Sequence, residues 1–219
     1  MYTYAFLSTV PSQLPEGIFG SLQIISADGL AALVEPDLAA ESLQENDQQL
    51  VQAVLSHDRV IRELFEQTTV LPLRFGTCFM SRQGLLEHLK ANSAEYLIKL
   101  VGLQGKAEYA LKLTPVAFPE AAIATEVKGK DYFLAKKKIY QAQAAWQVEQ
   151  QGELKALFEA IAKHYLWMRG EADNGIERIY LLGDRQSELS LSKLLKTWEL
   201  QSAHWELILG EPLPPYHFV

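Results

Sequence analysis

His57-Asp58-Arg59, followed at a short distance by Val70-Leu71-Pro72-Leu73-Arg74-Phe75-Gly76-Thr77, is the densest group of chemistry-bearing residues in the chain. The spacing puts His57 on the apolar stripe of a helix. It puts Arg74 on the strand face opposite Leu71, Leu73 and Phe75, because side chains alternate along a strand. An imidazole and a guanidinium could meet there, between helix and strand, and build a site. The plainer expectation is that His57 and Arg74 are each satisfied by backbone carbonyls or by a carboxylate such as Asp58. They would then hold the helix against the strand, and removing either would destabilise the first domain. Nothing else in the sequence offers better chemistry. His57, His88, His164, His204 and His217 lie far apart, without the short spacings that bring imidazoles to one metal ion. Cys78 is the single cysteine, so it makes no intramolecular disulfide or Cys-based zinc cluster, and a buried structural role is expected of it. Glu63 and Glu66 have helical spacing, but Arg59 and Arg62 share their face, which is a salt-bridge pattern. G-x-G-x-x-G after a strand, the P-loop, G-x-S-x-G and H-E-x-x-H are all missing. No motif points to a cofactor or a metal, and an enzyme using His57 and Arg74 stays open as a competing reading.

Composition narrows the class further. The 219 residues are 48% hydrophobic and 21% charged, enough for a sizeable core and too apolar for wholesale disorder. No window approaches ~18 uninterrupted apolar residues, so no transmembrane helix is expected. The first basic residue is Arg59, which does not suit a secretory signal, so the chain reads as soluble and intracellular. Its net charge of −7 argues against general nucleic-acid binding. The local exception is Lys128, Lys130, Lys136, Lys137 and Lys138, which read as a solvated helix face before they read as a site for an acidic partner.

The elements that must position these residues follow from periodicity. Strands are expected over 2–10, 22–26 and 30–35, with Asp28-Gly29 turning a hairpin between the last two. A helix over 46–67, capped by Asn46 or Asp47, carries Leu50, Val54, His57, Ile61, Leu64 and Phe65 on one stripe. Residues 70–75 form an edge or locally paired strand because Pro72 interrupts it. A second helix opens at Ser81 and stops within 101–106. Then come a strand over 107–113, a loop with a short helix over 115–129, and a helix over about 131–169, continuous or broken at Gly152. A strand over 176–183, a helix over 187–200 and a strand over 203–209 complete the order. The end, with Pro212, Pro214 and Pro215, is expected as an extended segment packed on a domain surface. The fold class is α+β: two small domains, 1–104 and 105–219, each a mostly antiparallel sheet with helices on one face. They are of modified ferredoxin-like kind, the second with the long helix.

The same residues carry a family resemblance. His57-Asp58 on a helix, followed by Leu71-Pro72-Leu73-Arg74-Phe75-Gly76-Thr77, resembles the pattern of the gas vesicle protein F/L family. Three further blocks agree in order: Gly129-Lys130-Asp131-Tyr132-Phe133-Leu134 through Lys138, Ile179-Tyr180-Leu181-Leu182, and Pro214-Pro215-Tyr216-His217-Phe218-Val219. The family often has Gly-Pro-Trp-Pro-Pro-Tyr near its end, where this chain has Gly210-Glu211-Pro212-Leu213-Pro214-Pro215-Tyr216. The resemblance implies a non-enzymatic accessory or minor structural protein of gas vesicle assembly. Its partners would be the major shell protein, gas vesicle protein A, and other accessory proteins, with no nucleic acid, lipid membrane or small-molecule substrate. It would be cytoplasmic and vesicle-associated, either enclosed on the inner gas-facing side of the shell or released to the cytoplasm. His57, Asp58, Leu71, Pro72, Arg74, Phe75, Gly76, Gly129, Tyr132, Pro215 and Tyr216 would then be structural or partner-contact residues. The competing reading of the fold class is a small-molecule-binding regulatory protein with paired ferredoxin-like domains.

Overall fold

The computed structural model describes residues 1–38, 47–119 and 129–219. Asn46, Lys128 and most of the 115–129 segment lie outside the described residues. The chain falls into two compact units, Met1–Glu108 together with Pro212–Val219, and Tyr109–Glu211. Both are mostly antiparallel sheets with flanking helices, and the second bears a long helix, so the fold class is as expected.

In the first unit, β1 (Tyr2–Leu7), β2 (Gln23–Ala27), β3 (Leu30–Glu35) and β4 (Val70–Pro72) lie in the order β2-β3-β1-β4. This is the strand order of a ferredoxin-like sheet. The crossover helix between its first two strands is replaced by irregular chain, and a helix follows the fourth strand instead. Asp28 and Gly29 both have positive φ, 49° and 80°, and make the expected two-residue turn between β2 and β3. The register between β1 and β3 slips between Thr3 and Ala5, so Tyr4 is an extra residue on a bulge. Every residue of β1 and β3 is buried, which requires cover on both faces of the sheet. Helix α1 (Asp47–Gln67) brings His57 against the rings of Tyr2 and Tyr4, whereas α2 (Arg82–Leu103) brings His88 and Tyr96 against Phe6. In this unit the helices thus flank two sides where one-sided cover was expected, because β1 and β3 are apolar on both faces. The buried stripe of α1 is Ala53, His57, Val60, Ile61, Leu64 and Phe65, while Val54 is exposed, a one-residue rotation of the anticipated face. Ser81 caps α2 through its hydroxyl, which accepts from the Gly84 N–H at 3.0 Å.

In the second unit, β5 (Lys106–Pro115), β6 (Leu166–Arg169), β7 (Glu177–Asp184) and β8 (Trp205–Leu213) take the order β6-β7-β5-β8. Helices α3 (Lys130–Ala162) and α4 (Glu188–Gln201) complete the unit. Burial alternates along β7, with Ile179 and Leu181 in the core. The long helix does not reach residue 169. It ends at Ala162, and Leu166–Arg169 is a strand paired with β7, Trp167 opposite Leu181. No proline or glycine marks that stop; the pairing of a short β-branch-poor strand overrides local helix propensity. Gly152 does not break α3, since it lies exposed with open space around it. β8 runs through Gly210 and Pro212, further than expected from the prolines.

Candidate functional site

His57 is buried within hydrogen-bonding reach on both ring nitrogens. Its Nε2 lies 3.0 Å from the carbonyl of Leu73, which can only accept, so Nε2 carries the proton. Nδ1 then accepts from the Tyr2 hydroxyl at 2.8 Å, and that hydroxyl accepts in turn from the Gly76 N–H at 3.2 Å. The chain Gly76–Tyr2–His57–Leu73 is complete for one neutral tautomer. Phe75 stands edge-on to His57 with ring centroids 5.6 Å apart, and Tyr4 stacks on it at 5.3 Å. Burial pushes the His57 pKa down, against the opposing pull of its Leu73 hydrogen bond and of Asp58. Burial likewise pushes the Tyr2 hydroxyl up. These are groups held out of reaction. Gly76 makes the turn after β4 at φ 85°, a conformation that favours glycine.

Asp58 faces the tail. Its Oδ1 accepts a short hydrogen bond from the Tyr216 hydroxyl, and its Oδ2 accepts from Arg62 Nε at 2.6 Å. Desolvation raises the Tyr216 pKa first, and the bond to Asp58 adds to it. One residue on, His217 donates from its backbone N–H at 2.8 Å and from Nδ1 at 2.7 Å to the two oxygens of buried Glu108. Pro214 and Pro215 are buried. The tail is extended as far as Leu213, turns at Tyr216 and His217, and is packed through these contacts.

Arg74 behaves differently. It is exposed, its backbone carbonyl accepts from the Thr77 hydroxyl at 2.7 Å, and no ion pair holds its guanidinium among the described residues. It does not meet His57 in a hydrogen bond, so the expectation that it fastens helix to strand is corrected. Instead it stands at the rim of a cavity of about 320 Å³ whose floor includes Phe6, Leu71, Pro72 and Leu73. Leu71 and Pro72 belong to β4 and are buried. In the second unit, Gly129 precedes α3 at φ 63°, and Tyr132 lies on the first turn, partly exposed.

Sequence reasoning missed two buried carboxylates. Glu35, at the end of β3, accepts backbone N–H groups from Ile18 at 2.8 Å and Phe19 at 2.9 Å, a third from Gly20, and the Tyr4 hydroxyl. The 17–20 turn is wrapped round this charge so closely that a Cβ at Gly17 would strike it. Glu108 is the other. A carboxylate inside an apolar strand run was the available signal in both cases. Cys78 was misplaced in the other direction: it is exposed, forming an isolated bridge with Tyr2. The residues at its position follow a turn and alternate at the surface, so a small apolar side chain is not drawn inward there.

Among the described residues, no group of His, Cys, Asp or Glu is placed to hold a metal ion, and no helix is long and apolar enough to cross a membrane. The family model described as "Gas vesicle synthesis protein GvpL/GvpF" matches residues 1–219. No curated protein sequence matches the chain. Among solved structures, the gas vesicle protein GvpF of Microcystis aeruginosa is similar at a TM-score of 0.70 and 15% identity, covering 99% of this chain and 97% of that one. GvpF of Anabaena sp. PCC7120 is similar at a TM-score of 0.69 and 14% identity, covering 99% and 96%. At those identities the two structures speak for the fold.

Proposed function

Because the chain belongs to the gas vesicle synthesis protein GvpL/GvpF family, we propose that it is a non-enzymatic assembly factor that binds the major shell protein, gas vesicle protein A, and other accessory proteins as shell growth begins. The observation that carries this reading is the family match over the whole chain, 1–219. The geometry supports it by dividing the motif residues into two kinds. His57, Asp58, Leu71, Pro72, Phe75, Gly76, Pro215 and Tyr216 build the first unit and fasten its tail. Arg74 and Tyr132 are exposed and are the proposed partner contacts. The chain stays with the vesicle, on the inner gas-facing surface of the shell, in few copies, since a charged protein there keeps solvation at a cost. The test is deletion of the gene from a vesicle-forming cell. Vesicles should disappear and return with the wild-type gene; normal vesicles in the deletion strain would refute the assembly role. Protease digestion of intact and collapsed vesicles locates the chain, and digestion from intact vesicles would place it outside.

A second reading, small-molecule binding, has one observation behind it. The cavity beside Arg74 is at the lower end of ligand-pocket volumes, apolar below and cationic at the rim. A metabolite that raised the melting temperature of the isolated protein would favour it.

A further inference from the structure

The lysine group near the start of α3 is more than a solvated face. Phe133, Lys136, Lys137, Tyr140, Gln141 and Ala144 recur every three or four residues and so share one side of the helix. Together they line a shallow surface cavity of about 370 Å³. Phe133 is 72% exposed and Tyr140 58%, and Val148, one turn beyond Ala144, is 72% exposed. The buried residues of α3, Leu154, Leu157 and Ile161, all fall in its last third. Large apolar side chains left repeating at the surface of a helix mark a contact surface more often than isolated ones do.

Charge says what kind of partner fits. Between Gly129 and Val148 the chain carries Lys130, Lys136, Lys137 and Lys138 against one acidic residue, Asp131, within a protein of net charge −7. Lys137 sits inside the apolar stripe and Lys136 at its edge, with Lys136 Nζ 5.7 Å from the centre of the Tyr140 ring. A helix that lies on lipid keeps its cations on the face away from the apolar one, so this arrangement does not suit a bilayer. A parallel second copy of α3 would set lysine against lysine, and an antiparallel one would set Lys136 and Lys137 against Ala145 and Ala144, so neither brings carboxylates to the lysines. The seam from Phe133 to Val148 is about 22 Å long, at ~1.5 Å per residue, or four turns of helix.

We propose that this face of α3 docks an acidic amphipathic helix of a partner protein, its apolar residues seated between Phe133, Tyr140 and Val148 and its carboxylates on Lys136 and Lys137. This rests on the assembly reading only in taking the partner to be a protein. The test uses the full chain and an 18-residue synthetic helix with leucines at the i, i+3, i+4, i+7 spacing and glutamates flanking them. Fluorescence anisotropy should show saturable binding that weakens with salt. Lys136→Glu with Lys137→Glu should weaken it at least tenfold and admit the same peptide with lysines in place of glutamates. Phe133→Ser with Tyr140→Ser should abolish it, while circular dichroism and melting temperature stay unchanged. Binding that ignores charge reversal, no binding to the wild type, or equal binding of the wild type to anionic vesicles overturns the proposal. Because the peptide is not a vesicle protein, these outcomes are read independently of whether deletion of the gene abolishes vesicles.

Discussion

Replacing His57 by alanine should unfasten helix α1 from the turn after β4. The change removes the acceptor of the Tyr2 hydroxyl and the donor to the Leu73 carbonyl, held at 2.8 and 3.0 Å. Leaving the buried Tyr2 hydroxyl without an acceptor costs ~1–3 kcal/mol. The Leu73 carbonyl is half-buried and water can reach it, so it adds little. Loss of a ring packed against Tyr2, Tyr4 and Phe75 adds roughly another 1 kcal/mol. A loss of about 3 kcal/mol in the stability of the first unit follows, read as a lower urea midpoint. The pH dependence provides a second readout. Burial depresses the folded pKa of His57 below its ordinary 6.5, so the unfolded chain takes up this proton first. The stabilisation is complete above pH 6.5 and is lost as pH falls from there through the folded pKa, by at most ~1.4 kcal/mol per pH unit. His57→Gln, which cannot titrate, should flatten that part of the curve. An unchanged urea midpoint for His57→Ala, or identical pH curves for wild type and His57→Gln, would refute the network.

Tyr216→Phe removes the bond to Asp58 and should cost about 1 kcal/mol, with faster amide exchange across Pro212–Val219; unchanged exchange would mean that the prolines alone hold the tail. Glu35→Gln leaves fewer acceptors for the backbone N–H groups of Ile18, Phe19 and Gly20 and should cost about 2 kcal/mol, with protease sensitivity rising in the 15–22 loop. Arg74→Ala should stay within ~0.5 kcal/mol of the wild type, since its guanidinium holds nothing among the described residues; a large loss would reveal a structural role.

What could be read from the sequence was set by how local each signal is. The Asp28-Gly29 hairpin, the β3 strand, the Ser81 cap and the helix around His57 depend on neighbouring residues, and the structure holds all of them. The strand at Leu166–Arg169 depends on a partner strand distant in sequence, so its residues continued a helical pattern until β7 claimed them. The motif block around His57 and Leu71–Gly76 was legible as a cluster. The partners were not: Tyr2 reads as an ordinary strand tyrosine, yet its hydroxyl completes the network. Glu35 and Glu108 were passed over because most of their donors come from a loop and a tail that spacing cannot place. Arg74 was misjudged because alternation gives the face a side chain leaves from, not what it reaches.

In the proposed assembly role, the chain associates physically with the shell protein. Affinity purification of the tagged chain from cells making vesicles, followed by quantification of gas vesicle protein A in the eluate, tests it most directly. The shell protein should co-elute with the wild type and fall severalfold with Arg74→Glu, at unchanged stability of the tagged chain. Absence of the shell protein from the wild-type eluate, after crosslinking as well as before, would contradict it.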